Sequence, residues 1–148
     1  SPVAVFCAGA KTVLDIPRTL EALESYSIPV LGYGTGHMPG FYLTTTGLPV
    51  SGRVDGPEQT ALALRAGWAA GLQGMVIAIP PPGELAGVGA MVEQAVLEAG
   101  DISGPGLTPR LLAAIGELSN GRSTQLNVEL VINNAGVAAA VAVAFARG

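Results

Sequence analysis

The chain carries a single side-chain amine. Lys11 closes the run Cys7-Ala8-Gly9-Ala10-Lys11, and the six other basic residues are all arginine. Arginine can replace lysine as a solvated charge, but its guanidinium stays protonated in proteins and cannot trap a carbonyl carbon. Lys11 is therefore the candidate nucleophile; the competing reading is a surface lysine in an arginine-biased sequence. The small residues before it would let a ligand approach the backbone closely, although tight packing of the turn would call for the same residues. If a helix starts there, the amide N–H groups of the turn would also seat an anion.

A second constellation lies near the C-terminus, where Asn127, Asn133 and Asn134 interrupt an otherwise apolar helical run. Spacing of i, i+4, i+7 places Asn127, Val131 and Asn134 on one helical face. Asparagine is a poor helix former and needs partners when buried, so such a face could hydrogen-bond a base edge or a sugar. A helix–helix contact or a solvated stripe would use the same residues. Three other features carry less chemistry. Cys7 sits inside a strand pattern and reads as core. His37 has no evident partner and reads as surface. The segment from Gly32 to Gly40 is glycine-rich but has neither the GxxxxGK[ST] nor the GxGxxG phosphate-binding pattern.

The elements that must position these residues alternate between strand and helix. Val3 to Cys7 is a short apolar strand, and a helical pattern runs from Thr12 to Ser25, with Asp15-Ile16-Pro17 in the first-turn arrangement that tolerates proline. Ile28 to Tyr33 reads as a second strand and Phe41 to Thr46, rich in β-formers, as a third. Asp55-Gly56-Pro57-Glu58 predicts a capped helix running to about Gly71. Met75 to Ile79 reads as a strand ended by Pro80-Pro81-Pro82, and Glu84 to Ala99 as a glycine-interrupted helix. A loop is expected over Gly100 to Leu107. Thr108-Pro109 is expected to start the next helix, and the last begins near Ser123. Near-continuous apolar strands alternating with helices predict an α/β fold, a mostly parallel sheet covered on both faces. Ligands in such folds sit at the carboxyl ends of the strands, where both Lys11 and the Gly32 to Gly40 loop fall.

Composition narrows the class further. The 148 residues suit one domain, and only 12% are charged against 49% apolar. So little charge predicts that much of the surface faces other protein. A net charge of -4 with no basic run argues against nucleic-acid binding. One cysteine and one histidine exclude a disulfide framework and a Cys/His zinc cluster. The longest apolar stretch, Ala135 to Ala146, is shorter than the ~20 residues of a membrane span, and no secretory signal is visible. The expectation is a cytoplasmic protein that binds no membrane. The abrupt opening at Ser1-Pro2 reads as part of something longer.

Four stretches carry a family resemblance: CAGAKTVLDIPRTLEALES, IPVLGYGT followed by Pro-Gly-Phe-Tyr, RVDGPEQ, and NGRSTQLNVELVINNA. In this order they closely resemble the pseudouridine-5'-phosphate glycosidase, or indigoidine synthase A-like, family. The resemblance covers this whole chain but only the C-terminal half of a family member, hence part of a single α/β/α domain. It implies reversible cleavage of the C–C bond between uracil and ribose 5-phosphate, with a divalent metal, usually manganese, in a homotrimer. It also implies a role for Lys11 as the amine that traps C1' of ring-opened ribose, and for Asn134 facing the substrate. Asn133 and Asn127 match the motif too. The family's acidic proton donor, a second lysine and the metal- and phosphate-holding stretch would lie upstream of Ser1. Two departures stand in loops: Gly36-His37-Met38, and the glycine-rich segment after Pro80 to Gly83, where acidic residues are more usual in the family. An isolated half is expected to be inactive. The alternatives are a sugar-phosphate-binding assembly module without turnover, and an aldolase-type lyase using the same Schiff-base lysine.

Overall fold

Short apolar runs of β-branched residues build the centre of the molecule. The computed structural model describes residues 1–11, 15–99 and 106–148. Its elements in chain order are β1 (Val3–Cys7), α1 (Ile16–Ser25), β2 (Val30–Tyr33), β3 (Gly52–Val54), α2 (Pro57–Ala69), β4 (Gly74–Ala78), α3 (Val88–Ala99), α4 (Leu107–Leu118) and α5 (Arg122–Arg147). The four strands form one sheet in the order β1-β4-β2-β3. All pairs are parallel, with Val5 opposite Val76, Val30 opposite Val76 and Leu31 opposite Gly52. β4 is therefore central, and it is the strand whose residues are almost all buried.

Alternation along β4 divides the core. Met75, Ile77 and Ile79 join Ala4 and Phe6 of β1 beneath α2 and α5, where Ala61, Leu64, Val137 and Val141 close the layer. Val76 and Ala78 point the other way, joining Val30 and Cys7 beneath Ile16, Leu20 and Leu23 of α1. Helices thus cover both faces, as the apolar strands predict. Burial of Ile77, which is 0% exposed, contributes about 2 kcal/mol. A third cluster lies beyond the carboxyl ends of the strands, where Tyr42, Leu85 and Leu126 meet α3 and α4 through Val88, Ala95, Leu111 and Ile115.

Several boundaries differ from the sequence reading, each for a local reason. α1 begins at Ile16, as the Asp15-Ile16-Pro17 start signal implies, with the Asp15 carboxylate accepting from the Arg18 N–H at 3.0 Å. Thr12 to Leu14 lie outside the described residues, as does the expected loop from Gly100 up to its last two positions. Phe41 to Thr46 is not a strand. Its backbone bonds form no ladder: some close within the loop, Gly40 N–H to the Leu43 carbonyl and Thr46 N–H to that of Met38, both at 2.9 Å, and others reach Ala8 and Leu85. The missing strand is the three-residue β3, too short to leave a periodic signal. Asp55 does not cap α2; its carboxylate pairs with Arg53 at 2.7 Å, and Gly56 takes the cap position. α4 starts one residue before Thr108, at Leu107, and α3 starts at Val88 rather than Glu84.

Candidate active site

The turn after β1 is held open by a steric requirement. Gly9 has φ +89°, and a Cβ built there would lie 1.9 Å from the Pro39 carbonyl oxygen, so only glycine fits. The loop after β2 is thereby pressed directly against the Ala8–Lys11 turn. Phe41 N–H donates to the Ala8 carbonyl at 2.8 Å and completes the junction. Lys11 follows, half-buried. The two segments that sequence reasoning assigned to one sheet edge do meet there.

α5 supplies the other wall. Its C-terminal part, through Val141 and Phe145, lies over Pro2, Ala4 and Phe6 at the start and middle of β1. Leu126, near its N-terminal end, approaches Gly83 past the end of β4. The helix therefore runs antiparallel to the strands and carries its middle, with Asn133 and Asn134, toward the carboxyl edge that holds Lys11. The buried stripe of α5 is Ser123, Leu126, Leu130 and Val141. At about 100° per residue, Asn133 and Asn134 flank that stripe on either side, and both are half-buried. Asn127 and Val131 lie on the same side of α5 as Asn134, as the spacing predicts, but they are exposed where Asn134 is half-buried.

Asn134 stands apart from its neighbours. Its Oδ1 is buried and has no hydrogen-bond partner, the one such side-chain atom among the described residues. An unpaired buried acceptor costs free energy and calls for a donor, which a ligand at this edge could bring.

What sequence reasoning missed was that the loop between β2 and β3 continues through Phe41 to Thr46, the stretch read as a strand. Thr44 donates to the Glu84 carboxylate from its N–H at 2.8 Å and its hydroxyl at 2.5 Å, and Leu85 N–H donates to the Tyr42 carbonyl at 3.1 Å. The loop is thus tied to the segment after β4 as well as to the Lys11 turn. The available signal was the Pro39-Gly40 pair, a turn marker within the supposed approach to a strand. Thr44 holds the Glu84 carboxyl below its ordinary value by these hydrogen bonds. Burial pushes the Tyr42 phenol up, against the opposing hydrogen bond with Ser123. Burial also raises the Cys7 thiol, which keeps it a neutral core group as its strand position implies. His37 is exposed, its N–H held by the Thr35 hydroxyl at 3.1 Å. Among the described residues, no three His, Cys, Asp or Glu side chains converge as a metal centre requires.

Comparison with known proteins places the chain. The family model described as "Indigoidine synthase A like protein" matches residues 1–144. The chain belongs to that family. Among curated relatives, a pseudouridine-5'-phosphate glycosidase of Herpetosiphon aurantiacus is 47% identical over 97% of the chain and 50% of the relative. One of Caldanaerobacter subterraneus subsp. tengcongensis is 45% identical over 95% of the chain and 48% of the relative. Two solved structures are similar as well. The prealnumycin C-glycosynthase AlnA in complex with ribulose 5-phosphate superposes with a TM-score of 0.87 at 27% identity, over 97% of this chain and 49% of that one. An indigoidine synthase A-like protein of Thermotoga maritima gives 0.85 at 26% identity, over 96% and 49%. The chain spans about half the length of these family members.

Proposed function

We propose that this chain forms the C-terminal half of a pseudouridine-5'-phosphate glycosidase site, with Lys11 as nucleophile. The observation that carries the reading is the buried, unpaired Oδ1 of Asn134, on a helix directed at the sheet edge that bears the only lysine. Family membership supports it, as do the names of the relatives.

The chemistry follows from the substrate. A C-glycoside has no heteroatom leaving group at C1', so protonating a departing oxygen between two carboxylates does not apply. The Lys11 amine instead bonds to C1' while the C1'–O4' bond breaks, and the freed ring oxygen takes a proton. The nitrogen lone pair then forms a C=N bond as the C1'–C5 bond breaks. Its electrons pass to C5 of uracil, which is protonated there, and water releases ribose 5-phosphate and restores the amine. Asn134, with Asn133 beside it, hydrogen-bonds the base or sugar through its amide. Asn127 lies two turns earlier on nearly the same side of the helix, exposed, and would reach substrate only through an added segment.

In this reading the upstream half of the family domain supplies the proton donor, the phosphate contacts and a divalent metal, manganese by resemblance. The isolated chain is then inactive, and the complete assembly is a homotrimer. The exposed Val3 and Val5 of edge strand β1, and the outward Val128, Val131 and Ile132 of α5, are the surfaces such partners would cover. A binding module without turnover is the second reading, favoured by the half-length match.

Borohydride trapping with ribose 5-phosphate tests the proposal, read by intact mass and peptide mapping on the chain alone and co-expressed with the upstream half of the Herpetosiphon relative. A sugar-phosphate adduct on Lys11, absent in Lys11→Arg, is expected at least in the co-expressed assembly. Binding with no adduct in either preparation would leave only the module. Aldehyde formation without uracil release from pseudouridine 5'-phosphate would favour aldolase chemistry.

A further inference from the structure

Phe41 occupies a backbone conformation that its side chain disfavours. Its φ is +65°, in the left-handed region that bulky residues rarely enter. The Tyr42 N–H closes a three-residue turn around it by donating to the Gly40 carbonyl at 2.7 Å. A positive-φ turn of this kind is rare and strained, and glycine would adopt it freely. Glycine does occur next door, at position 40, yet position 41 holds an aromatic ring.

The surroundings hold the strain in place. On one side Phe41 N–H is fixed to the Ala8 carbonyl, three residues before Lys11. On the other, the Glu84 carboxylate grips Thr44 and Leu85 grips Tyr42. The ring meets that of Tyr42 edge to face, with centroids 4.7 Å apart and planes at 78°. Tyr42 is buried, and Phe41 is partly buried, packed against the cluster of Leu85, Leu111 and Ile115 while part of its surface stays exposed. Conformational strain over-determined by its neighbours is a reason to look for function at the strained residue.

We propose that Phe41 is the specificity-determining residue for the base, stacking on a planar, uncharged heterocycle beside the sugar held by Lys11. This rests on the reading of Lys11 and Asn134 given above. A nucleobase has two recognisable features, a polar edge and an apolar face. Asn134 offers an amide for the edge, and Phe41 is the aromatic surface that the fold brings to the same rim for the face.

The test compares Phe41→Leu, which keeps bulk but loses the aromatic face, with Phe41→Tyr, which keeps it. Both are measured in the co-expressed assembly. Phe41→Leu is expected to raise the KM for uracil in the synthetic direction about tenfold. Trapping of ribose 5-phosphate on Lys11 is expected to stay within about twofold, because the sugar does not contact the ring. Phe41→Tyr is expected to restore the uracil KM. Equal losses in uracil use and in trapping would make Phe41 a packing residue and overturn the proposal, as would an unchanged uracil KM. If Phe41→Leu does not fold, the ring resonances of the wild type decide: uracil must shift those of Phe41, and no shift overturns it. Absence of any Lys11 adduct in the wild type overturns the lysine reading and this inference together. An adduct alongside an unchanged uracil KM overturns this inference alone.

Discussion

At the residue scale, Asn134 has a cost without a structural return. Leaving its buried Oδ1 unpaired weakens the fold, so replacing the side chain by an apolar one of similar size should strengthen it. Asn134→Leu is expected to raise unfolding stability by about 1 kcal/mol in urea titrations of the chain. In the complete assembly the same change is expected to slow C–C cleavage about a hundredfold, the scale of losing one well-placed polar contact to a reacting ligand. A destabilised variant would mean that Oδ1 has a partner within the fold. Unchanged turnover would remove Asn134 from the site. Lys11 is argued differently, because no contact singles it out: its case is chemical, an amine where the chain could have used arginine six times over.

At the element scale, the decisive piece is the loop from Gly34 to Ser51 rather than any helix. It crosses from β2 past the end of β4 to β1, and its closing bonds span long sequence separations, Thr44 to Glu84 among them. Glu84 makes part of that closure pH-dependent. Its folded-state pKa is depressed by the Thr44 hydrogen bonds, so the stabilisation is present above the ordinary carboxylate range and is lost as pH falls through the folded value. Glu84→Gln keeps an acceptor for both Thr44 donors but cannot titrate. The stability difference between wild type and Glu84→Gln should therefore be level near pH 7 and change only below about pH 4.5. Chemical denaturation at a series of pH values measures it, and a difference that does not vary with pH would show that the carboxylate does not hold the loop.

At the scale of the whole molecule, the least settled surface is the outer side of α5. The helix is 26 residues long with a mean hydropathy of 1.8 over its most apolar window, enough by length and composition alone to cross a membrane. The run from Ala135 to Ala146 suggests a shorter element, because Asn133 and Asn134 interrupt the apolar sequence without interrupting the helix. One stripe of α5 lies on the sheet, and the opposite stripe exposes Val128, Val131 and Ile132 at 56%, 62% and 67%. A helix apolar on both sides is normally covered on both. Ile132→Glu is expected to change the stability of the chain by no more than about 0.5 kcal/mol while lowering the mass of its assemblies in analytical ultracentrifugation. An unchanged mass distribution would take this face out of the assembly interface.

Much of the architecture was legible because it depends on local pattern. β1, β2 and β4 are apolar runs that only a covered parallel sheet accommodates, and Pro17 and Pro57 mark helix starts by fixing φ. Lys11 was legible as a candidate, and Gly9 as a small residue, from residue type and spacing. The close approach of Pro39 that makes Gly9 obligatory was not. Nor was the fate of Phe41 to Thr46, whose β-forming residues suit a strand until hydrogen bonds to Ala8, Met38 and Glu84 outweigh propensity. The asparagines make the same division. Helical spacing groups Asn127 with Asn134 on one side of α5, but which turn of that side is covered depends on what packs there, and periodicity along one segment carries no information about its neighbour. Sequence alone therefore settled which residues could act, and tertiary packing decided which of them face one another.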